Sequence, residues 1–182
     1  MFRNNEILLT QPLAATPRLH AAPVTWCGAE QNEWCWAATV QMVLKSRGST
    51  RSQCEIVQTF LQDASLDCCT RPFRCNVSCD SRDFETLVCP TEGLTVSPAP
   101  QPQLSFAEIQ TNVVDENKLL ILGFRRASGR RVTGHMALVV GVSAPDQVMI
   151  LDCAKNNSTG AVPRPHLPTG YYGTWVQTWI VD

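Results

Sequence analysis

Nine cysteines in 182 residues constrain this chain more than any other feature. A reduced intracellular protein of this size carries few thiols, so the density points to an oxidising destination in which crosslinks supplement the core. Nine is also odd: complete pairing within the chain leaves one thiol over, and a leftover thiol in a crosslinked protein is a candidate reactive group. The residues are 44% hydrophobic, enough for one domain with a sizeable core and too many for wholesale disorder. Fifteen Lys and Arg balance sixteen Asp and Glu, which leaves no strongly basic surface for nucleic acid. No apolar run approaches the roughly 18 residues that span a bilayer. No signal peptide is recognisable, because the apolar stretch Ile7 to Leu9 is broken by Thr10, Gln11 and Pro12. The expectation is a protein whose leader has been removed, or one exported by a route that needs none.

Residues 1–25, with Pro12, Pro17 and Pro23, read as an extended leader lying on a single domain at 26–182. A helix is predicted from near Glu33, capped by Asn32, with Trp36, Val40, Val43 and Leu44 as its apolar stripe and Lys45, Arg47 and Gly48 as its stop. Ser52 and Glu55 form a capping box ahead of Ile56, Val57, Phe60 and Leu61, so a second helix follows. From Cys68 to Cys89 there is little periodicity and there are five cysteines, which predicts a loop region held by crosslinks. The Pro-rich stretch 97–103 reads as a connector between a helical half, about 26–96, and a strand-rich half, about 104–182. A second capping box, Ser105 with Glu108, opens a helix carrying Phe106, Ile109 and Val113. Four apolar, β-branched runs follow at 119–124, 136–142, 148–151 and 174–181, separated by turn signals at Ser128-Gly129 and at 144–146. The fold class is α+β, with a largely antiparallel sheet.

One cysteine stands apart by its position. Cys35, in Gln31-Asn-Glu-Trp-Cys-Trp-Ala-Ala38, falls two or three residues inside the first helix, where unpaired amides and the positive end of the helix dipole favour thiolate over thiol. Taken alone it is as readily a half-cystine or a core thiol. The far half of the chain adds two partners: His135 begins one apolar strand and Asp152 ends the next. A hairpin turning near Ala144-Pro145 sets these two opposite one another on one face, so that Asp152 holds the His135 ring while the other ring nitrogen faces the thiol. Nucleophile, base and orienter are the parts required for covalent acyl transfer.

Gln31, the Cys-Trp-Ala-Ala run at 35–38, Gly134-His135 ahead of an apolar strand, and Asp152 together resemble the papain-like cysteine peptidase superfamily, in particular its bacterial C39-like and C70-like branches, in which the third residue can be Asp. The resemblance implies a helical lobe carrying Cys35 packed against a sheet lobe carrying His135 and Asp152, with an extended peptide bound in the cleft. It implies a cysteine endopeptidase with no cofactor and no metal, and Gln31 as the oxyanion-hole donor. Only four positions separate Gln31 from Cys35, fewer than in papain. Trp36, although it follows the nucleophile as in papain, reads as core. The partners implied are a protein or peptide substrate and an inhibitor or immunity protein, and the setting is a secreted or extracytoplasmic effector or toxin domain. Two alternatives stay open: another acyl transfer on the same residues, such as glutamine deamidation or transglutamination, and a non-enzymatic disulfide-stabilised binding module.

Cys27, Cys54, Cys68, Cys69, Cys75, Cys79, Cys89 and Cys153 are then candidates for four disulfides, with Cys35 the one free thiol. A zinc reading of Cys68, Cys69, Cys75 and Cys79 fails on spacing, which does not give two Cys-x-x-Cys knuckles. His20 and His166 read as solvated loop residues, and Arg125, Arg126, Arg130 and Arg131 as a solvated cluster at a turn.

Overall fold

Helix α1 (Cys35–Ser46) buries the whole predicted stripe, Trp36, Val40, Val43 and Leu44, together with Ala37, Ala38 and Met42. These positions come from a computed structural model that describes residues 18–19, 23–128, 131–143, 145–154 and 159–182. The helix stops where expected, at Arg47 and at Gly48, whose φ of +82° is a left-handed conformation that suits glycine. Its start differs. Asn32 does not cap it; the preceding residue is Trp34, which offers no side-chain cap. Trp34 is fully buried, its indole N–H donates to the Cys75 carbonyl at 2.8 Å, and its backbone N–H closes a turn onto Gln31. Burial of this indole sets the point at which the helix begins, and Cys35 becomes its first residue.

Helix α2 (Gln53–Leu61) opens with the predicted Ser52–Glu55 capping box. The crosslinked segment that follows is more regular than a loop. Residues 81–91 form a helical stretch, α3, assembled from Ser81–Asp83, the wider turns of Phe84–Val88 and Cys89–Thr91. Asp80 caps it, and Phe84 and Val88, one turn apart, are buried. A single apolar pair is too little periodicity to read as a helix from sequence.

Two disulfides form: Cys54–Cys69 ties the stretch before α3 to α2, and Cys68–Cys75 closes a loop within that stretch. Here the expectation of four crosslinks is corrected: Cys27, Cys79, Cys89 and Cys153 are thiols, as is Cys35. Cys27 and Cys89 pack inside the core and Cys153 is buried, each filling space as a small apolar side chain. An odd count therefore does not single out Cys35.

The sheet consists of β1 (Arg18–Leu19), β2 (Val96–Pro98), β3 (Leu119–Ser128), β4 (Arg131–Ser143), β5 (Gln147–Leu151), β6 (Thr159–Pro163) and β7 (Thr174–Val181). Every pairing is antiparallel, in the order β2-β7-β3-β4-β5-β6, with β1 added on β4. The four apolar runs lie in β3, β4, β5 and β7. Strands β1, β2 and β6 are short and were not expected. β2 occupies the start of the Pro-rich connector, at an edge where a missing N–H is tolerated. Of the expected leader, Arg18 and Leu19 pair with β4, while 1–17 and 20–22 lie outside the described residues.

Alternation along the strands divides the core in two. Ile121, Leu138, Leu151 and Trp179 pack with α1, α2 and α3. Leu120, Leu122, Val139 and Ile150 pack with Ile109 and Val113 of α4, the helical stretch 106–115 that begins at the Ser105–Glu108 box. One interruption matters for the site. Val139 pairs with Ile150 but Gly141 with Met149, so Val140 is an extra residue, a β-bulge.

Candidate active site

The predicted hairpin register is off by a small step with a large consequence. Leu138, not Met136, faces Leu151, so Asp152, one position on, lies across from Ala137, and His135 is its diagonal neighbour. Diagonal positions in an antiparallel pair are about 7–8 Å apart and within reach of long side chains. The imidazole covers that gap: His135 Nε2 and Asp152 Oδ1 are 2.8 Å apart. The bulge makes this contact available. Had the register of Ser143↔Gln147 carried on with Val140 paired in the ladder, Asp152 would face Leu138 and His135 would lie on the opposite face of the sheet.

Asp152 is 1% exposed, and both carboxylate oxygens and its backbone carbonyl are engaged. Oδ1 also accepts from the Ala154 N–H at 2.8 Å, Oδ2 accepts from the Tyr171 hydroxyl at 2.7 Å, and the backbone carbonyl accepts from the Trp26 indole at 2.8 Å. Burial pushes its carboxyl pKa up, but the hydrogen bond and charge of His135, with the bonds from Ala154 and Tyr171, hold it below the ordinary value of 3.8. His135 shows the reciprocal balance. Burial pulls it down, yet hydrogen bonds to Asp152 and to Cys35 and the charges of both raise it from 6.5 to about 9. With Nε2 committed to Asp152, the nitrogen that faces Cys35 is Nδ1. Tyr172 lies on the ring, its centroid 4.0 Å away and the planes 26° apart.

Cys35 is half-exposed at the first turn of α1, where helix amides lack intrahelical partners. It separates two cavities. One, of about 290 Å³, runs between α1, the residues ahead of α3 and the ends of β3, β4 and β7; Cys79, Asp80, Phe124, Arg125, Val132 and Val176 are among its walls. The other, of about 380 Å³, is lined by Gln31, Trp26, Cys153 and Tyr172. Cys35, Gly134 and His135 border both. The residues singled out in the sequence, Gln31, Cys35 and His135, thus share one cavity, and Asp152 stands directly behind His135.

The remaining thiols differ from Cys35 in setting. Burial raises the pKa of Cys89 to about 12. Burial first, and then neighbouring negative charge, raises Cys79 and Cys153 further still. Cys68 and Cys75 are bonded to each other and Cys69 to Cys54, which removes three of the four thiols of the rejected zinc set. His135, Asp152 and Cys153 do bring donor atoms within 4.8 Å of one another, a metal-sized cluster. The two carboxylate oxygens of Asp152 already accept three hydrogen bonds, so the cluster serves a proton-holding pair better than a cation.

Trp36 is core, 1% exposed and edge-on to Phe60, as its stripe position implied. His166 is exposed in the turn Arg164–His166; His20 lies outside the described residues. Arg125 and Arg126 belong to the end of β3 rather than to a turn, and Arg125 reaches the first cavity. Sequence reasoning overlooked Trp26, Tyr171 and Tyr172. The available signal was Gly170-Tyr-Tyr-Gly173, a glycine-bounded turn holding both tyrosines of the chain.

No protein-family model matches this sequence, and no curated protein does. Solved structures do match. A protein described as a C39-like peptidase from Bacillus anthracis aligns over 92% of this chain and 98% of its own, with a TM-score of 0.60 and 10% identity. UfSP from C. elegans aligns over 97% of this chain and 35% of its own, with a TM-score of 0.47 and 10% identity. The fold is the mixed helix and antiparallel-sheet architecture of C39-like peptidases, as the resemblance implied.

Proposed function

We propose that this protein is a cysteine endopeptidase with Cys35 as nucleophile, His135 as acid and base, and Asp152 as orienter. The observation that carries the reading is the position of His135, bonded at Nε2 to a buried carboxylate and at its other nitrogen to a half-exposed thiol that heads a helix between two cavities. In this scheme the Cys35 thiolate attacks a peptide carbonyl carbon. The oxyanion is met by the Cys35 backbone N–H and the Gln31 side chain. His135 gives its Nδ1 proton to the departing amine, leaving a thioester; it then takes a proton from water, which attacks the thioester and restores the thiol. A chain laid across Cys35 fills one cavity with the acyl side of the substrate and the other with the leaving side.

The disulfides and the lack, among described residues, of a helix long and apolar enough to cross a membrane support an extracytoplasmic enzyme, in keeping with a secreted effector or toxin domain that meets protein substrates and an inhibitor or immunity protein. The test is mass spectrometry of an unfolded protein substrate after incubation with the wild-type protein and with Cys35→Ala. Chain cleavage by the first alone is the expected result. A shift of about 1 Da without cleavage would indicate glutamine deamidation by the same residues, and no change would indicate a binding module.

A further inference from the structure

The turn 170–173 is seated with little tolerance. A Cβ at Gly173, whose φ is +158°, would lie 2.5 Å from the Arg125 carbonyl oxygen, and one at Gly170 would lie 3.0 Å from that of His166. The two residues between these glycines point at the His135–Asp152 pair from different sides. Tyr171 donates to Asp152 Oδ2 at 2.7 Å and packs on Phe124, 5.5 Å between centroids, while Tyr172 stacks on the imidazole. Oδ1 of the same carboxylate receives both the His135 and the Ala154 bonds, so the bond to Oδ2 fixes the rotation of the carboxylate about its own axis.

We propose that Tyr171 is a positioning residue: its hydroxyl holds the Asp152 carboxylate in the plane that keeps His135 directed at Cys35. This rests on the peptidase reading above and deepens it. The titratable groups around His135 are Cys35 from α1, Asp152 and Cys153 beyond β5, and Tyr172 on the turn, with Arg126 of β3 acting on Tyr172. Burial beside Asp152 raises the Tyr171 hydroxyl well above its usual range, so it stays a donor throughout the pH range of interest.

The experiment needs no substrate. Iodoacetate is an anion, so its attack on Cys35 is assisted by an imidazolium and slows when His135 loses its proton. In the wild type, the rate of Cys35 carboxymethylation, followed by mass spectrometry, should fall as pH rises through about 9. In Tyr171→Phe that fall should move down by about one pH unit, because a carboxylate free to rotate supports the imidazolium less well. Phe124→Leu, which removes the ring contact but keeps the hydroxyl, should lower the melting temperature and leave the fall in place. A Tyr171→Phe profile that superimposes on the wild type overturns the inference. So does an upward shift, which is what a still-seated carboxylate that has merely lost a donor would produce, and so does an equal shift in Phe124→Leu. A wild-type profile with no alkaline fall removes the ion pair itself, and the peptidase reading with it.

Discussion

Replacing Asp152 separates geometry from charge. His135 is raised from 6.5 to about 9, and at about 1.4 kcal/mol per pH unit this amounts to roughly 3 kcal/mol in favour of the imidazolium. In Asp152→Asn the amide oxygen still accepts from His135 and from the Ala154 N–H, and the Tyr171 hydroxyl turns to accept from the amide nitrogen. The ring stays oriented while the charge is lost. In Asp152→Ala the buried ring of His135 loses its carboxylate partner, at about 1–3 kcal/mol, and the Ala154 N–H and the Tyr171 hydroxyl lose the acceptor they share with it. In both variants, burial acting on His135 is no longer opposed by the carboxylate, so the alkaline limb of activity shifts well below 9. Positioned acid–base groups contribute about 10²–10⁴ in rate, so kcat/KM for a cleavable peptide should fall by about that factor in Asp152→Ala. It should fall by only about tenfold in Asp152→Asn below pH ~7, since the charge matters less than orientation while His135 is still protonated. The assay is peptide hydrolysis across the pH range, with melting temperatures to show that both variants fold. Near-wild-type turnover in Asp152→Ala would refute the reasoning, reducing Asp152 to a turn residue and leaving a Cys35–His135 dyad. Equal losses in the two variants would show that charge, not geometry, is the contribution.

Three further outcomes are expected. Iodoacetamide at about pH 6, followed by peptide mapping, should modify Cys35 ahead of Cys79, Cys89 and Cys153, whose burial keeps them protonated; preferential labelling of any of those three would remove Cys35 as nucleophile. The His135–Asp152 pair should make stability depend on pH. Because the folded His135 value lies above 6.5, its contribution is complete below 6.5 and is lost as pH rises to about 9, and because the Asp152 value lies below 3.8, its contribution is present above 3.8 and lost on further acidification. The melting temperature should therefore decline between pH 6.5 and 9 in the wild type and not in His135→Ala. Reducing both disulfides, whose loops span 15 and 7 residues, should cost at most about 5 kcal/mol, or roughly 10–20 °C in a chain of this size; an unchanged melting temperature would show that α2 and the stretch before α3 hold together by packing alone.

Much of the fold was legible because its signals are local. A capping box names two helix starts, at Ser52 and Ser105, by the same reciprocal hydrogen bonds that the structure contains. Four apolar runs lie in the four strands with the most neighbours in the sheet. What escaped depends on distant partners. Strands β1, β2 and β6 exist because an edge was free to receive them, and nothing in Val96-Ser-Pro98 marks a strand until Val181 lies alongside. The start of α1 is set by an indole hydrogen-bonded to a carbonyl 41 residues away, and the failure of Cys27, Cys79, Cys89 and Cys153 to pair reflects where the core closes around them rather than how many there are.

The candidate site was legible for a subtler reason. Two residues at the ends of adjacent strands can meet only if they share a face, and sharing a face is a matter of parity, not of exact alignment. His135 and Asp152 were expected to be directly opposed, and the structure sets them on a diagonal instead. The displacement is two residues, which preserves the face; a displacement of one would have buried the ring on the far side of the sheet. The parity is kept because Val140 is bulged out of the ladder. On one side of the bulge the odd-numbered Val139 packs towards α4, and on the other the even-numbered Val142 does, so a chain in which Val140 took a regular place in the ladder would keep the hairpin, the turn and both functional groups, and would be unable to bring imidazole and carboxylate together. The chemistry of this site therefore depends on an irregularity that composition and periodicity do not mark, beside a glycine, Gly141, that resumes the pairing.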